Sequence, residues 1–276
     1  MKTSGEKNSA MAHKQRLRTS DETFLGASHP LEGQTVMVVG GSSGIGSAVA
    51  QRAASHGASV VIVSRQASRF DDGEPSSKRI RYHHMDITQE ADRKSLAKRS
   101  ETIDHLVFAV RSAGSSAPFL QTTQEQAKEA FEVKFWGVYS FIQAIYPCMA
   151  AQSSITLTSG ITGEKIIPGA SSMAAINSAT ETLCRQLAVE LAPIRINAVS
   201  PGFVAPKPEP LERRARDFPQ RRLASPNDVA PAYIELMMSS YRTGTIVVGQ
   251  NVKVSTQLIG TATHLRPIST CSSSRA

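Results

Sequence analysis

Thr35-Val36-Met37-Val38-Val39-Gly40-Gly41-Ser42-Ser43-Gly44-Ile45-Gly46 decides the fold. Its first five residues form a continuous apolar run, which suits a strand buried on both faces of a parallel sheet. A glycine-rich turn follows at once. Ile45 to His56 then predicts a helix, closed by Gly57 in the usual C-terminal cap position. Glycines placed between a strand and a helix are a far more specific signal than the same glycines alone. They allow close backbone approach to a pyrophosphate, and the helix start offers free N–H groups and a positive dipole end. Gly40, Ser42, Ser43, Gly44, Ile45 and Gly46 are therefore the first candidate binding residues.

Working outward, Ser59 to Val63 predicts a second strand, which completes a right-handed βαβ unit. Arg69 to Arg79, with Asp71-Asp72-Gly73 and Pro75, predicts a loop. Further strands are expected at Ile80 to His84, His105 to Val110, Ser154 to Thr158, Ile194 to Val199 and Thr245 to Val248. Helices are expected at Glu90 to Arg99, Gln124 to Ala150 with a break near Pro147, Ser172 to Leu191 and Asn227 to Ser239. This alternation implies an α/β fold: a single doubly wound parallel sheet, the Rossmann architecture, with helices on both faces. Residues 31–255 form the expected domain. The polar, basic stretch 1–30 and the Ser/Thr/Arg-rich stretch 256–276 predict disordered tails.

Composition narrows the function classes. The chain has 276 residues, a net charge of +8 and a hydrophobic fraction of 40%, enough for a substantial core. Cys148, Cys184 and Cys271 form no ligand motif and no disulfide framework, so a reducing compartment, the cytoplasm, is expected. The histidines show no metal spacing. No apolar run reaches the roughly 18 to 20 residues that cross a bilayer, and no signal-peptide core is evident. The basic excess lies in the tails and in Arg65 to Arg99, where acids are interleaved. With no nucleic-acid-binding signature beside it, it reads as a solvated surface or as attraction for an anionic cofactor or substrate.

Several motifs together resemble the short-chain dehydrogenase/reductase family over roughly residues 31 to 250. Gly40, Gly44 and Gly46 match its Gly-x-x-x-Gly-x-Gly. Leu187-Ala188-Val189-Glu190-Leu191 and Pro201-Gly202 match its downstream helix and turn, and Asp86-Ile87 matches the pair that meets the adenine amine. The resemblance implies a nicotinamide cofactor, with Pro201 and Gly202 near its amide. It also implies a homodimer or homotetramer, built on the helices at 124–150 and 172–191. At the end of the second strand stands Ser64-Arg65 instead of an acid. A hydroxyl followed by a guanidinium suits a 2′-phosphate, so NADP(H) is the expected cofactor, with Arg69 a candidate helper. Beyond the Pro-Gly turn, Lys207 to Arg222 carries Arg213, Arg214, Arg216, Arg221 and Arg222 and predicts a basic lid.

The resemblance fails where its chemistry should be. Aligned on the downstream helix, the family's Tyr-x-x-x-Lys becomes Met173 and Asn177. A thioether transfers no proton and a neutral amide lowers no phenol pKa. The family's asparagine is Lys134, its Asn-Asn-Ala-Gly is Phe108-Ala109-Val110-Arg111, and only the serine, Ser159, survives. Ser159, Lys134 and Arg111 are the candidate catalytic residues. Three readings remain open here. The chain is an enzyme with a rebuilt site, acting on a small carbonyl or hydroxyl metabolite of a secondary-metabolite pathway by hydride transfer or by a non-redox isomerisation or cyclisation. Alternatively it is an NADP-binding pseudoenzyme, or a structural subunit.

Overall fold

The computed structural model describes residues 29–66, 79–112, 117–207, 209–217 and 220–249. Except for His29 and Pro30, the two expected tails lie outside these residues, as do Arg69, Gln250, Asn251 and the domain end at 255. The strands are β1 (Thr35–Val39), β2 (Ser59–Ser64), β3 (Ile80–His84), β4 (Ile103–Phe108), β5 (Met149–Thr158), β6 (Arg195–Ser200) and β7 (Ile246–Val248). They form one sheet in the order β3-β2-β1-β4-β5-β6-β7, every pairing parallel. The helices are α1 (Gly44–Ser55), α2 (Glu90–Arg99), α3 (Gln124–Phe131), α4 (Gly137–Ile145), α5 (Ser171–Glu190), α6 (Glu209–Arg213) and α7 (Pro226–Met238). This is the expected doubly wound Rossmann sheet.

The apolar run at 35–39 shows why both faces are covered. Met37 and Val39 pack in one core with Val138, Phe141 and Cys184 of the helices on that side. Val36 and Val38 pack on the other face with Ala50 of α1 and Ile234 of α7. Each fully buried aliphatic side chain contributes about 1.5–3 kcal/mol, so a central strand with two buried faces is a strong organiser. The strand order reverses between β1 and β4, and the carboxyl ends of the strands open a crevice there.

The chain departs from the sequence expectation at 124–150. The long helix ends at Ile145, because Pro147 supplies no N–H to continue it. β5 then starts at Met149 rather than Ser154, pairing Ile103 with Met149 before an irregularity re-registers His105 opposite Ser154. Within the helix, Glu132–Trp136 widens into a π-turn between α3 and α4. Such single wide turns are rare and recur at functional sites. Gly137 closes it: a Cβ there would lie 3.1 Å from the Glu132 carbonyl oxygen and from Ile87.

Helix α5 buries a different stripe from the one its leucines suggest. Ile176, Asn177, Thr180, Glu181, Cys184 and Ala188 are the buried positions, while Ala175 is exposed and Leu183 and Leu187 are half-buried. The stripe Ala175, Ala179, Leu183, Leu187, Leu191 therefore lies on the flank. Three polar residues sit in the buried face, and two of them bear on the cleft described below.

One core group makes stability pH-dependent. His105 is buried between Gln34 and Ser154, at 2.6 and 2.8 Å. The Gln34 oxygen only accepts, so Nε2 carries the hydrogen and Nδ1 accepts from the Ser154 hydroxyl. Burial, with the Arg195 charge added, pushes the His105 pKa down to about 4. The unfolded chain binds that proton at about pH 6.5. The folded state therefore loses roughly 3 kcal/mol as pH falls from about 6.5 to 4, with no further loss from this group below that. Thermal unfolding across this range should show the loss, and His105→Gln should flatten it.

Candidate functional site

Every strand from β1 to β6 contributes its carboxyl end to one cleft of about 420 Å³. Such a volume is ordinary for a site that holds a small organic ligand. Val39 to Gly44, Ser64-Arg65, Asp86, Ala109 to Arg111, Thr158 to Thr162 and Pro201 to Lys207 line it, with Lys134, Met173 and Asn177 entering from the helices. Gly46 lies just inside α1 and Arg69 outside the described residues; the other residues expected to bind the cofactor meet here with Ser159, Lys134 and Arg111.

The glycine turn has the shape a dinucleotide needs. Gly40 has φ 85° and Gly44 φ 55°, both in the left-handed region. A Cβ on Gly40 would lie 2.7 Å from the Ala109 carbonyl oxygen, so the turn packs directly on the end of β4. A Cβ on Gly46 would collide with the Gly40 carbonyl, so α1 can begin this close to the turn only with glycine there. In front of Gly44 a Cβ would meet nothing within 4 Å. Ser43, the residue before α1, makes no side-chain cap, which leaves the first N–H groups of the helix to a ligand. These features fit a pyrophosphate.

The outer end is held by short polar links. Ser42 and Ser64 share a hydrogen bond of 2.8 Å, and Ser64 also accepts from the Gln66 N–H. Arg65 is largely exposed at the rim, 4.0 Å from Asp86. Asp86 accepts from the backbone and the hydroxyl of Thr88, which fixes its carboxylate.

The inner end is different. Lys134 projects from the π-turn and donates to the Val110 carbonyl oxygen at 3.3 Å. Burial pushes its ammonium down to about 8, and the nearby charges of Arg111 and Lys207 push the same way. Met173 and Asn177 line the cleft as the alignment requires. Asn177 is 3% exposed and donates to Thr162 at 2.7 Å, while its side-chain oxygen has no partner. Arg111 is exposed on the same wall.

Ser159 reaches the cleft, but its hydroxyl donates to Glu181 at 2.9 Å, a carboxylate only 4% exposed on α5. With that proton committed, Ser159 offers the cleft only lone pairs. The sequence reading missed Glu181; the one available signal was an acid placed eight residues after Met173, one turn beyond Asn177 on the same helix. Glu181 also lies 3.8 Å from the exposed Arg185. The expected basic lid is less charged than its composition suggests: Arg213 pairs with Glu209 and Arg222 with Asp228. Lys207 is the lid residue that faces the cleft. Among the described residues no cluster of His, Cys, Asp or Glu has metal-holding geometry, and no helix is long and apolar enough to cross a membrane.

Residues 39–254 match the family model described as enoyl-(acyl carrier protein) reductase. The chain is a member of the short-chain dehydrogenase/reductase family. Among its relatives, the short-chain dehydrogenase/reductase ATR9 of Stachybotrys chlorohalonatus is 31% identical over 79% of this chain and 95% of its own length. The solved structure of MalC reductase/Diels–Alderase from Malbranchea aurantiaca is 29% identical, with a TM-score of 0.70 over 80% of this chain and 95% of that one. A small-chain dehydrogenase crystallised with NADPH is 28% identical, with a TM-score of 0.65 over 78% of this chain and 95% of that one. As a short-chain dehydrogenase/reductase, the chain carries the family's nucleotide-binding frame from the first strand through the Pro-Gly turn.

Proposed function

We propose that this short-chain dehydrogenase/reductase binds NADP(H) and acts on a small carbonyl or hydroxyl metabolite of a secondary-metabolite pathway through a rebuilt inner site. The observation that carries the reading is Lys134: its ammonium stands in the same cleft as Asn177, where the family's lysine is missing. Bound NADPH supplies a hydride. Lys134 and Arg111 supply positive charge where a carbonyl oxygen becomes an oxyanion, which then takes its proton from water, and fixed charge in a partly dry cleft acts strongly on such a centre. Ser159, held by Glu181, accepts from a hydroxyl of the ligand and orients it. Met173 fills the space of an aromatic ring without offering a proton.

NADP(H) preference rests on Ser64-Arg65 at the rim and the likeness to the NADPH-bound dehydrogenase. Arg65 is exposed, so it can turn from Asp86 to a 2′-phosphate at little cost. Titration with NADPH and NADH, read by nicotinamide fluorescence, tests this. NADPH should bind at least about tenfold more tightly, and Arg65→Asp should remove that advantage. Equal affinities in the unmodified protein would refute the preference. Binding of neither cofactor would leave the structural-subunit reading.

A non-redox reaction on the same scaffold is the second reading. It is favoured by the absence of a proton donor at Met173 and by the likeness to MalC, whose description pairs reduction with a cycloaddition. The enzyme is also proposed to be a homodimer or homotetramer. Trp136 is 50% exposed on the π-turn and Val189 76% exposed on α5, the elements the family uses for assembly. A monomeric mass by light scattering at micromolar concentration would count against this.

A further inference from the structure

The charges around the cleft do not balance. Five of its lining residues are ionisable: Arg65, Asp86, Arg111, Lys134 and Lys207. Arg65 and Asp86 answer each other at the outer end. The remaining three are cations, and they arrive from three separate elements: the end of β4, the π-turn and the segment after β6. Among the described residues no carboxylate lies within 4.0 Å of any of their charged groups, whereas Arg213, Arg222 and Arg242 on the surface each have one. Glu212, the acid next to this group, accepts from the backbone N–H of Lys207 and does not line the cleft. Like charges gathered in a partly buried place are costly unless an anion completes the set.

We infer that Lys134, Arg111 and Lys207 form an anion subsite at the inner end of the cleft, and that the substrate is an organic acid whose carboxylate they hold. The inference rests on the proposed reading of this cleft as an NADP(H) enzyme site. The cofactor's own anions have other partners: the uncapped start of α1 suits the pyrophosphate, and Arg65 suits the 2′-phosphate. Lys134 donates to the Val110 carbonyl oxygen, next in sequence to Arg111, and Ser159 and Asn177 line the same cleft. A carboxylate held by these cations therefore lies in the cleft that the Ser159 oxygen also lines. Burial lowers the pKa of both Lys134 and Lys207, and the Arg111 charge pushes both the same way, as cations without a counter-ion do.

The test is a titration of NADPH-loaded protein with benzoate and with benzamide, its neutral counterpart of the same shape, read by nicotinamide fluorescence and by calorimetry. Benzoate should bind at least about tenfold more tightly than benzamide. Lys207→Gln, at a half-buried position, and Lys134→Met, which replaces a buried cation by an apolar chain of like size, should each weaken benzoate about tenfold and leave NADPH affinity within about twofold. Benzoate affinity should also fall as pH rises through about 8, where Lys134 loses its proton, with Arg111 and Lys207 the other charges facing it. Lys134→Met should remove that dependence. Three results would overturn the inference: equal binding of benzoate and benzamide, displacement of NADPH by benzoate, or pyrophosphate binding to the free protein that depends on Lys207 and is abolished by NADPH. The last two would assign the cations to the cofactor. If NADPH does not bind, the enzyme reading fails by itself, and the same pair of ligands on the free protein still decides the anion subsite.

Discussion

Lys134→Ala is expected to lower turnover by about a hundred- to a thousandfold while leaving NADPH affinity nearly unchanged. Removing one preorganised charge from beside a developing oxyanion has effects of this size, because water cannot enter a fixed geometry to replace it. The proposed adenosine contacts are Ser64 and Asp86, on other strands than Lys134, so NADPH affinity should not sense the change. The measurement is product formation from a carbonyl compound that the unmodified chain converts, with NADPH binding followed separately. Ser159→Ala should impair the same step, and Glu181→Gln should do so more mildly, since glutamine keeps the shape but not the charge behind the serine hydroxyl. Installing lysine at Asn177 should not rescue Lys134→Ala fully. It would instead disturb the unmodified site, by adding a fourth cation to Arg111, Lys134 and Lys207. Unchanged turnover in both Lys134→Ala and Ser159→Ala would end the rebuilt-site reading and leave a cofactor-binding pseudoenzyme.

Gly46→Ala should weaken NADPH binding by about a hundredfold and lower the melting temperature. The added methyl meets the Gly40 carbonyl oxygen and carbon and the Gly41 Cα, the last two at 2.9 Å. All are backbone atoms, which cannot swing aside as a side-chain tip would. Either α1 retreats or the turn opens, and both misplace the N–H groups meant for the pyrophosphate. Overpacking of this kind costs about 1–3 kcal/mol, and about 1.4 kcal/mol is tenfold in affinity. Gly33→Ala is the control for a generic glycine effect, because Gly33 also has a positive φ, 75°, yet a Cβ there meets nothing within 4 Å. It should cost stability without a selective loss of NADPH binding. Equal losses in the two variants would remove the steric argument.

The nucleotide frame was legible because its signals are local. A strand, a glycine turn and a helix start follow one another within twelve residues, and backbone sterics alone restrict what such a stretch can be. The break near Pro147 was legible for the same local reason, whereas β5 begins at Met149 through a pairing with Ile103 that no period in the sequence announces. The apolar pattern of α5 does not announce its buried face: Ile176, Thr180 and Cys184 are buried, whereas Leu183 and Leu187 are half-buried.

The sequence by itself determined the strand order class and the cofactor turn, since each depends on residues close together in the chain. Tertiary structure decided which side chains meet Met173 and Asn177 in the cleft. Lys134 reaches the cleft from the π-turn, Arg111 and Lys207 join it from segments 96 residues apart in number, and Glu181 accepts a hydrogen bond from the Ser159 hydroxyl across a gap of 22 residues. Charge and hydrogen bonding act through space over a few ångströms. Their partners are therefore chosen by how the helices pack on the sheet, which chain spacing does not record.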